Sequence, residues 1–279
     1  MVEREPLMEE LRRTVAEKLE ELDGVLALRR TEMGTAPYLF REGGDFASDF
    51  SELVLEPRYA LGKIVKTLQK RYPEARFGVV ARACDARALV EMSKREQVDL
   101  ERLELLGVAC TAEEAAACAC ADPAPAVEVW PAATVIGTPA EAGAPNPLVA
   151  EYAEKSLEER MAFWRQQFRK CIKCYGCRDI CPVCFCEACA LEDPLWVEPG
   201  VLSPPFPMYH LIKAMHMSNR CVACRQCELA CPAHIPLTVL YDLIRQDVES
   251  LLGYVPGTDL DSAPPIPLTF TDAPIREEE

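Results

Sequence analysis

Long apolar runs are missing from this chain. No stretch approaches the ~18 residues that a membrane-crossing helix needs, so no transmembrane span is expected. Basic residues are in deficit, 30 against 45 acidic ones, for a net charge of −15. Phosphate binding needs a basic footprint, so nucleic acid is not expected as a partner. Histidine is scarce, at three residues. His210 and His216 read as surface or packing residues and His234 as a turn residue, with tuning of a nearby sulfur as its alternative role. Gly43-Gly44 and Gly107 do not form the G-x-G-x-x-G fingerprint, so no dinucleotide-binding signal is present. Met1 to Glu10 is charged and lacks the apolar core of a secretory leader. The expectation is a protein of the reducing cytoplasm.

What the chain has in excess is cysteine, 15 in 279 residues. The odd count argues against a disulfide framework. Eight cysteines fall in two copies of one spacing, C-x2-C-x2-C-x3-C-P. The first is Cys171, Cys174, Cys177, Cys181 and Pro182; the second is Cys221, Cys224, Cys227, Cys231 and Pro232. This is the ligand run of bacterial two-cluster ferredoxins, in which the fourth cysteine serves the other cluster. Two [4Fe–4S] clusters are therefore expected, one on Cys171, Cys174, Cys177 and Cys231, the other on Cys221, Cys224, Cys227 and Cys181. Structural zinc is the plainer alternative, but its C-x2–4-C pairs usually stand a dozen or more residues apart.

Hydrophobic periodicity divides the rest. Leu7, Leu11, Val15, Leu19 and Leu22 predict a helix over 6–23. Strands are predicted at Val25–Leu28, Pro37–Phe40, Leu53–Leu55, Phe77–Val80 and Leu105–Ala109, with helices at 58–72 and Asp85–Ser93. Val127–Trp130 and Thr134–Ile136 are β-prone pieces in a Pro- and Ala-rich region, expected as a loop or edge region leading to a linker. Helices follow at Leu148–Lys170, 208–217 and 237–252. The predicted architecture is an α/β N-terminal domain, residues 1–147, followed by a helical dicluster ferredoxin-like domain, 148–253. An acidic, Pro-rich tail, 254–279, is expected to be extended or disordered.

Three stretches carry a resemblance. They are Ala83-Cys84-Asp85-Ala86-Arg87-Ala88-Leu89, Gly107-Val108-Ala109-Cys110, and the segment from Trp164 through both cysteine runs and Cys184-Phe185-Cys186 to Ile235-Pro236-Leu237. Together they resemble the β-subunits of deazaflavin-coenzyme-linked hydrogenases and formate dehydrogenases, most closely short relatives that travel with heterodisulfide-reductase-type complexes. The chain departs from that pattern at Arg82-Ala83 (usually Lys-Gly), at Ala109 (usually Pro) and at Cys118-Ala119-Cys120 (usually C-x2-C). The resemblance implies an iron–sulfur subunit that relays single electrons in an anaerobic oxidoreductase complex. Its partners would be a hydrogenase, formate dehydrogenase or heterodisulfide-reductase-like subunit. The alternative it implies is a flavin-bearing subunit that exchanges hydride with a deazaflavin or nicotinamide coenzyme, although FAD has no motif of its own here.

Seven cysteines lie outside the two runs. Cys84 and Cys110 follow neighbouring predicted strands, whose ends can face one edge of an α/β sheet. With Cys118 and Cys120 they have the ligand count of a third [4Fe–4S] cluster; packing as small hydrophobes is the other reading. Cys184, Cys186 and Cys189 can serve a further cluster, a hydrogen-bonding role beside a cubane, or packing. Asp85 and Arg87 are expected as a polar pair at a helix start.

Overall fold

The computed structural model describes residues 4–42, 50–125 and 127–265. Gly43-Gly44 and residues 266–279 of the expected tail lie outside them.

The chain opens with α1 (Arg4–Lys18), then the hairpin β1 (Gly24–Thr31) and β2 (Gly34–Phe40), the short β3 (Leu53–Val54) and α2 (Gly62–Arg71). β4 (Phe77–Arg82), α3 (Ala83–Ser93), β5 (Leu103–Val108), α4 (Ala112–Cys118) and β6 (Ala133–Ile136) complete the α/β region. Helices then take over: α5 (Pro147–Ala153), α6 (Leu157–Phe168), α7 (Gly176–Asp179), α8 (Met208–Met217), α9 (Gln226–Leu229) and α10 (Leu237–Leu252).

The mixed six-stranded sheet runs β2-β1-β4-β5-β6. β1, β4, β5 and β6 pair in parallel, and the hairpin caps one edge. Side chains alternate between two cores, as a pleated strand requires. Val25, Ala27, Val80, Leu106 and Ile136 meet Leu11 and Val15 of α1 on one face. Leu26, Leu28, Val79, Ala81 and Leu105 face α2 and α3 on the other. Covering both faces satisfies strands that are buried along their whole length.

β3 sets up the site. Gly24–Leu26 of β1 pair with β4, whereas Leu28 and Arg29 pair with β3. The chain after β3 therefore crosses the C-terminal end of β4. Arg82, the last residue of β4, ties it down by donating to the Leu55 carbonyl (3.1 Å) and to Glu56 (2.5 Å).

Local signals correct some boundaries. α1 stops at Lys18, and Leu19 and Leu22 reach the core from turns bonded to Val15 and Lys18. Within the expected loop or edge region, Val127–Val129 forms a 3-10 turn and Ala133–Ile136 is the edge strand β6. The helix expected over Leu148–Lys170 is two helices. Ser156 adopts extended backbone and caps α6 reciprocally with Glu159, each backbone N–H donating to the other's side chain. That Ser-x-x-Glu box starts a new helix.

The core does not stop at residue 147. Leu61, Leu89 and Met92 share one apolar cluster with Val183, Met217, Val222 and Leu237. Lys63 of α2 also donates to the carbonyls of Arg178 (3.1 Å) and Asp179 (2.9 Å). The start of the expected tail is part of this assembly. Glu91, fully buried on α3, pairs with Arg95 at 2.9 Å and accepts from the Tyr254 hydroxyl (2.8 Å) and the Gly257 N–H (3.1 Å). A Cβ at Gly257 would stand 2.2 Å from the Arg87 carbonyl, so only glycine lets the chain pass here.

Removing one member of a buried ion pair leaves the other charge uncompensated. Glu91→Ala should therefore lower stability by about 3–5 kcal/mol and expose the chain beyond Gly253 to protease. Urea unfolding and limited proteolysis check both.

Candidate metal centres

The two cysteine runs fold alike, 50 positions apart (171 to 221). In each, the residues before the second cysteine and after it adopt left-handed backbone: Lys173 and Tyr175 at φ 52° and 58°, Ala223 and Arg225 at φ 55° and 59°. These turns aim backbone N–H groups at sulfur, Lys173 toward Cys171 and Ala223 toward Cys221. A four-residue helix follows each, α7 and α9, and the cysteine–proline step closes the loop.

The runs interleave. Cys171, Cys174, Cys177 and Cys231 line one cavity. Cys181, Cys221, Cys224 and Cys227 line a second. Each cavity thus takes three thiols from one run and the fourth from the other. Among the described residues, no three His, Cys, Asp or Glu side chains gather tightly enough for a single metal ion. Burial pushes the Cys177 and Cys221 thiols up to about 11 and also raises Cys224 and Cys227 well above the ordinary thiol range. Metal or cluster loading would displace those protons.

The four N-terminal cysteines also converge. Cys84 opens α3 after β4, Cys110 follows β5, and Cys118 sits in the last turn of α4. Ala119, left-handed at φ 43°, reverses the chain, and Cys120 returns to the same space. All four line a cavity of about 250 Å³ with Ala223, Cys224 and Arg225 of the second run. Cys224 lies on the wall of both this cavity and its neighbour. Arg58 spans the opening. It donates to Cys118 at 2.8 Å, to Cys84 at 2.9 Å and to the Cys224 carbonyl at 3.2 Å. Burial, with Asp85 adding to it, pushes the Cys84 thiol up to about 12 against the pull of Arg58. Burial and Glu114 push Cys110 to about 11.

Cys184, Cys186 and Cys189 line a further cavity of about 260 Å³. Every cysteine of the chain therefore lines at least one of these four cavities, and Cys224 lines two.

The expected Asp85–Arg87 pair is not formed. Arg87 pairs with Asp122 at 3.1 Å instead of with Asp85, which accepts from the Arg82 N–H at 3.2 Å and caps α3. His210 is a packing residue, stacked on Phe168 with centroids 3.8 Å apart, and it lines the cavity of Cys171. His234 adopts a left-handed turn, φ 49°, bonded back to Cys231.

Three cations were not singled out from the sequence: Arg58, Lys213 and Arg220. Arg58 lies in an irregular segment with no local signal. Lys213 carried one, because it sits on the same stripe of α8 as the buried Tyr209, Ala214 and Met217. Its Nζ is buried without a hydrogen-bond partner. Burial opposes its charge, but Cys181, Cys184, Cys177 and Cys227 together hold it above the ordinary lysine range.

A mixed α/β sheet joined to interleaved cysteine loops defines a class of multi-site, thiol-rich protein. No family model matches the chain. It is 40% identical over 122 residues to an F420-dependent formate dehydrogenase subunit beta from Methanocaldococcus jannaschii, covering 43% of this chain and 32% of that protein. It is 38% identical over 118 residues to F420-dependent formate dehydrogenase 1 subunit beta from Methanococcus maripaludis, covering 41% and 30%. The chain thus spans about a third of the length of the curated relatives it matches. These similarities support the β-subunit family of deazaflavin-linked oxidoreductases, over less of the chain than the motif-based resemblance covers.

His210 gives a pH dependence. Burial pushes its imidazole down to about 4 from an ordinary 6.5. Above pH 6.5 it is neutral whether folded or unfolded, so its contribution is fully present. As pH falls from 6.5 toward 4 the unfolded chain takes up the proton first, and stability is lost. Between pH 7 and 5.5 the native chain should lose roughly 1 kcal/mol that His210→Phe does not, read as the difference in anaerobic urea midpoints.

Proposed function

We propose that this chain is an iron–sulfur electron-transfer subunit of an oxidoreductase complex. The carrying observation is the crossed composition of the two run cavities, four thiols in each. Left-handed loop residues, N–H groups aimed at sulfur and a buried lysine beside the thiols suit an anionic cubane better than a closed zinc site. On this reading, Cys171, Cys174, Cys177 and Cys231 hold one [4Fe–4S] cluster, and Cys221, Cys224, Cys227 and Cys181 the second. Cys84, Cys110, Cys118 and Cys120 hold a third. When bound, these clusters supply one-electron redox chemistry.

The protein's own residues set the conditions for transfer. Cys224 and its backbone form the common wall between the second and third centres. Arg58 bridges that wall and places a positive charge where reduction adds a negative one. Lys213 does the same beside the second centre. Val183, Val222 and Tyr241 exclude water around it and hold the thiols in an apolar shell. Fifteen unpaired cysteines suit a reducing cytoplasm. The named relatives point to a catalytic formate dehydrogenase or related subunit as the partner.

One observation favours a second reading, a flavin-bearing subunit. A cavity of about 670 Å³ abuts Cys221, a size that suits a dinucleotide, and the Arg87, Arg225 and Arg245 on its wall are ion-paired there with Asp122, Asp242 and Glu249. Flavin fluorescence released from anaerobically purified protein would favour that reading, and its absence would sink it.

Iron analysis tests the main proposal. Native protein should hold at least about twelve irons per chain, and Cys224→Ala should lose about four and slow reduction of the acceptor. Zinc without iron after anaerobic reconstitution would overturn the proposal. Co-purification of a catalytic oxidoreductase subunit tests the partner.

A further inference from the structure

The cavity of Cys184, Cys186 and Cys189 is built like a site, although it belongs to neither run. A cation stands beside each thiol, with Lys213 shared among Cys181, Cys177 and Cys227 as well and Arg178 paired also with Asp179 and Glu192. Arg220, 1% exposed, directs Nη1 at the Cys186 sulfur from 3.9 Å, and its Nε has no partner. Arg178 hydrogen-bonds Cys189. Lys213 faces Cys184, and its buried, unpartnered Nζ lines both this cavity and that of the second run centre. Cysteines that merely pack as small hydrophobes do not recruit three cations, two of them buried and incompletely hydrogen-bonded, because such charges are costly unless something anionic compensates them.

The chemistry of the occupant follows. Soft thiolates select iron–sulfur, zinc or copper(I). Among the described residues no three ligands close on a single ion, so a mononuclear centre does not fit the spacing. Three thiolates would leave one corner of a cubane without cysteine, and Glu187, exposed on the cavity wall beside Cys186, is the carboxylate nearest in sequence to supply a ligand there.

We infer that Cys184, Cys186 and Cys189 hold a further [4Fe–4S] cluster on three thiolates, with its fourth iron open to a non-cysteine ligand beside Glu187. This inference rests on the reading of the chain as an iron–sulfur protein. Lys213 and Met217 form the wall it shares with the cavity of Cys181, Cys221, Cys224 and Cys227. That centre is consequently a branch point. It adjoins the sheet-edge centre through Cys224 and the three-thiol centre through Lys213. With both clusters bound, one electron passed from it would reduce the three-thiol cluster by one unit with no proton or bond change.

The test uses the whole chain, produced with an active iron–sulfur assembly system and purified anaerobically. Replacing Cys184, Cys186 and Cys189 together by Ser should remove about four irons per chain and one component of the dithionite-reduced EPR spectrum, leaving the other components at native intensity. Cys186→Ser alone, at an exposed position that does not burden folding, should abolish the same component. Potassium cyanide added to reduced native protein should shift that component and no other, because only its cluster has an open iron. Native iron content and EPR in both variants would overturn the inference while leaving the proposed function intact. So would loss of zinc in place of iron, or loss of every component in the triple variant with Cys186→Ser unchanged. Native protein without iron would overturn both.

Discussion

The guanidinium of Arg58 is the point on which the two halves of this molecule meet. It touches Cys84 and Cys118 at the C-terminal edge of the sheet and the Cys224 carbonyl of the second cysteine run. Its position depends on β3 pairing with β1 just past the end of β4, which carries the following segment across the sheet edge. Arg82 then locks that crossing to Glu56 and Glu114. A sheet edge that would otherwise face solvent becomes one wall of a thiol-lined cavity.

Charge balance explains much of the remaining architecture. The protein is strongly acidic overall, yet its interior around the cysteines is cationic, with Arg58, Lys213 and Arg220 all buried or nearly so. Thiolates taken out of water need compensation, and these side chains supply it at close range where screening is weak. The carboxylates that make the net charge negative lie mostly elsewhere, and the buried exceptions are themselves paired or capping, as Glu91 is with Arg95 and Asp85 is with the start of α3. The same helices that bring these groups together close the apolar core between α2, α3 and the cysteine loops. Packing and site geometry are therefore coupled: a change in that core moves cavity walls.

Much of the fold was legible because its signals are local. The short continuous apolar runs of β1 and β4 and the spacing of Leu11 and Val15 report burial directly. The break between α5 and α6 was also written locally, in the Ser156–Glu159 box, but apolar residues on both sides masked it. The loop-or-edge character of 127–136 was legible, but which piece would become strand was not, because β-prone residues form a strand only where a partner is available, here β5 for Ala133–Ile136. The packed start of the tail was hidden for another reason. Its partner, Glu91, lies more than 160 residues earlier.

The sequence by itself determined that eight cysteines form a pair of equivalent loops, since spacing of two residues fixes how tightly the backbone turns around sulfur. It also determined an α/β region, through hydrophobic period. Only tertiary structure decided that Cys84, Cys110, Cys118 and Cys120 share one cavity despite irregular spacing. It took parallel pairing of β4 and β5 and a left-handed reversal at Ala119 to bring them together. Only tertiary structure, too, matched Cys184, Cys186 and Cys189 with Lys213, Arg220 and Arg178. The field at a thiol depends on distance through space, and two of those cations come from beyond the loop that holds the cysteines.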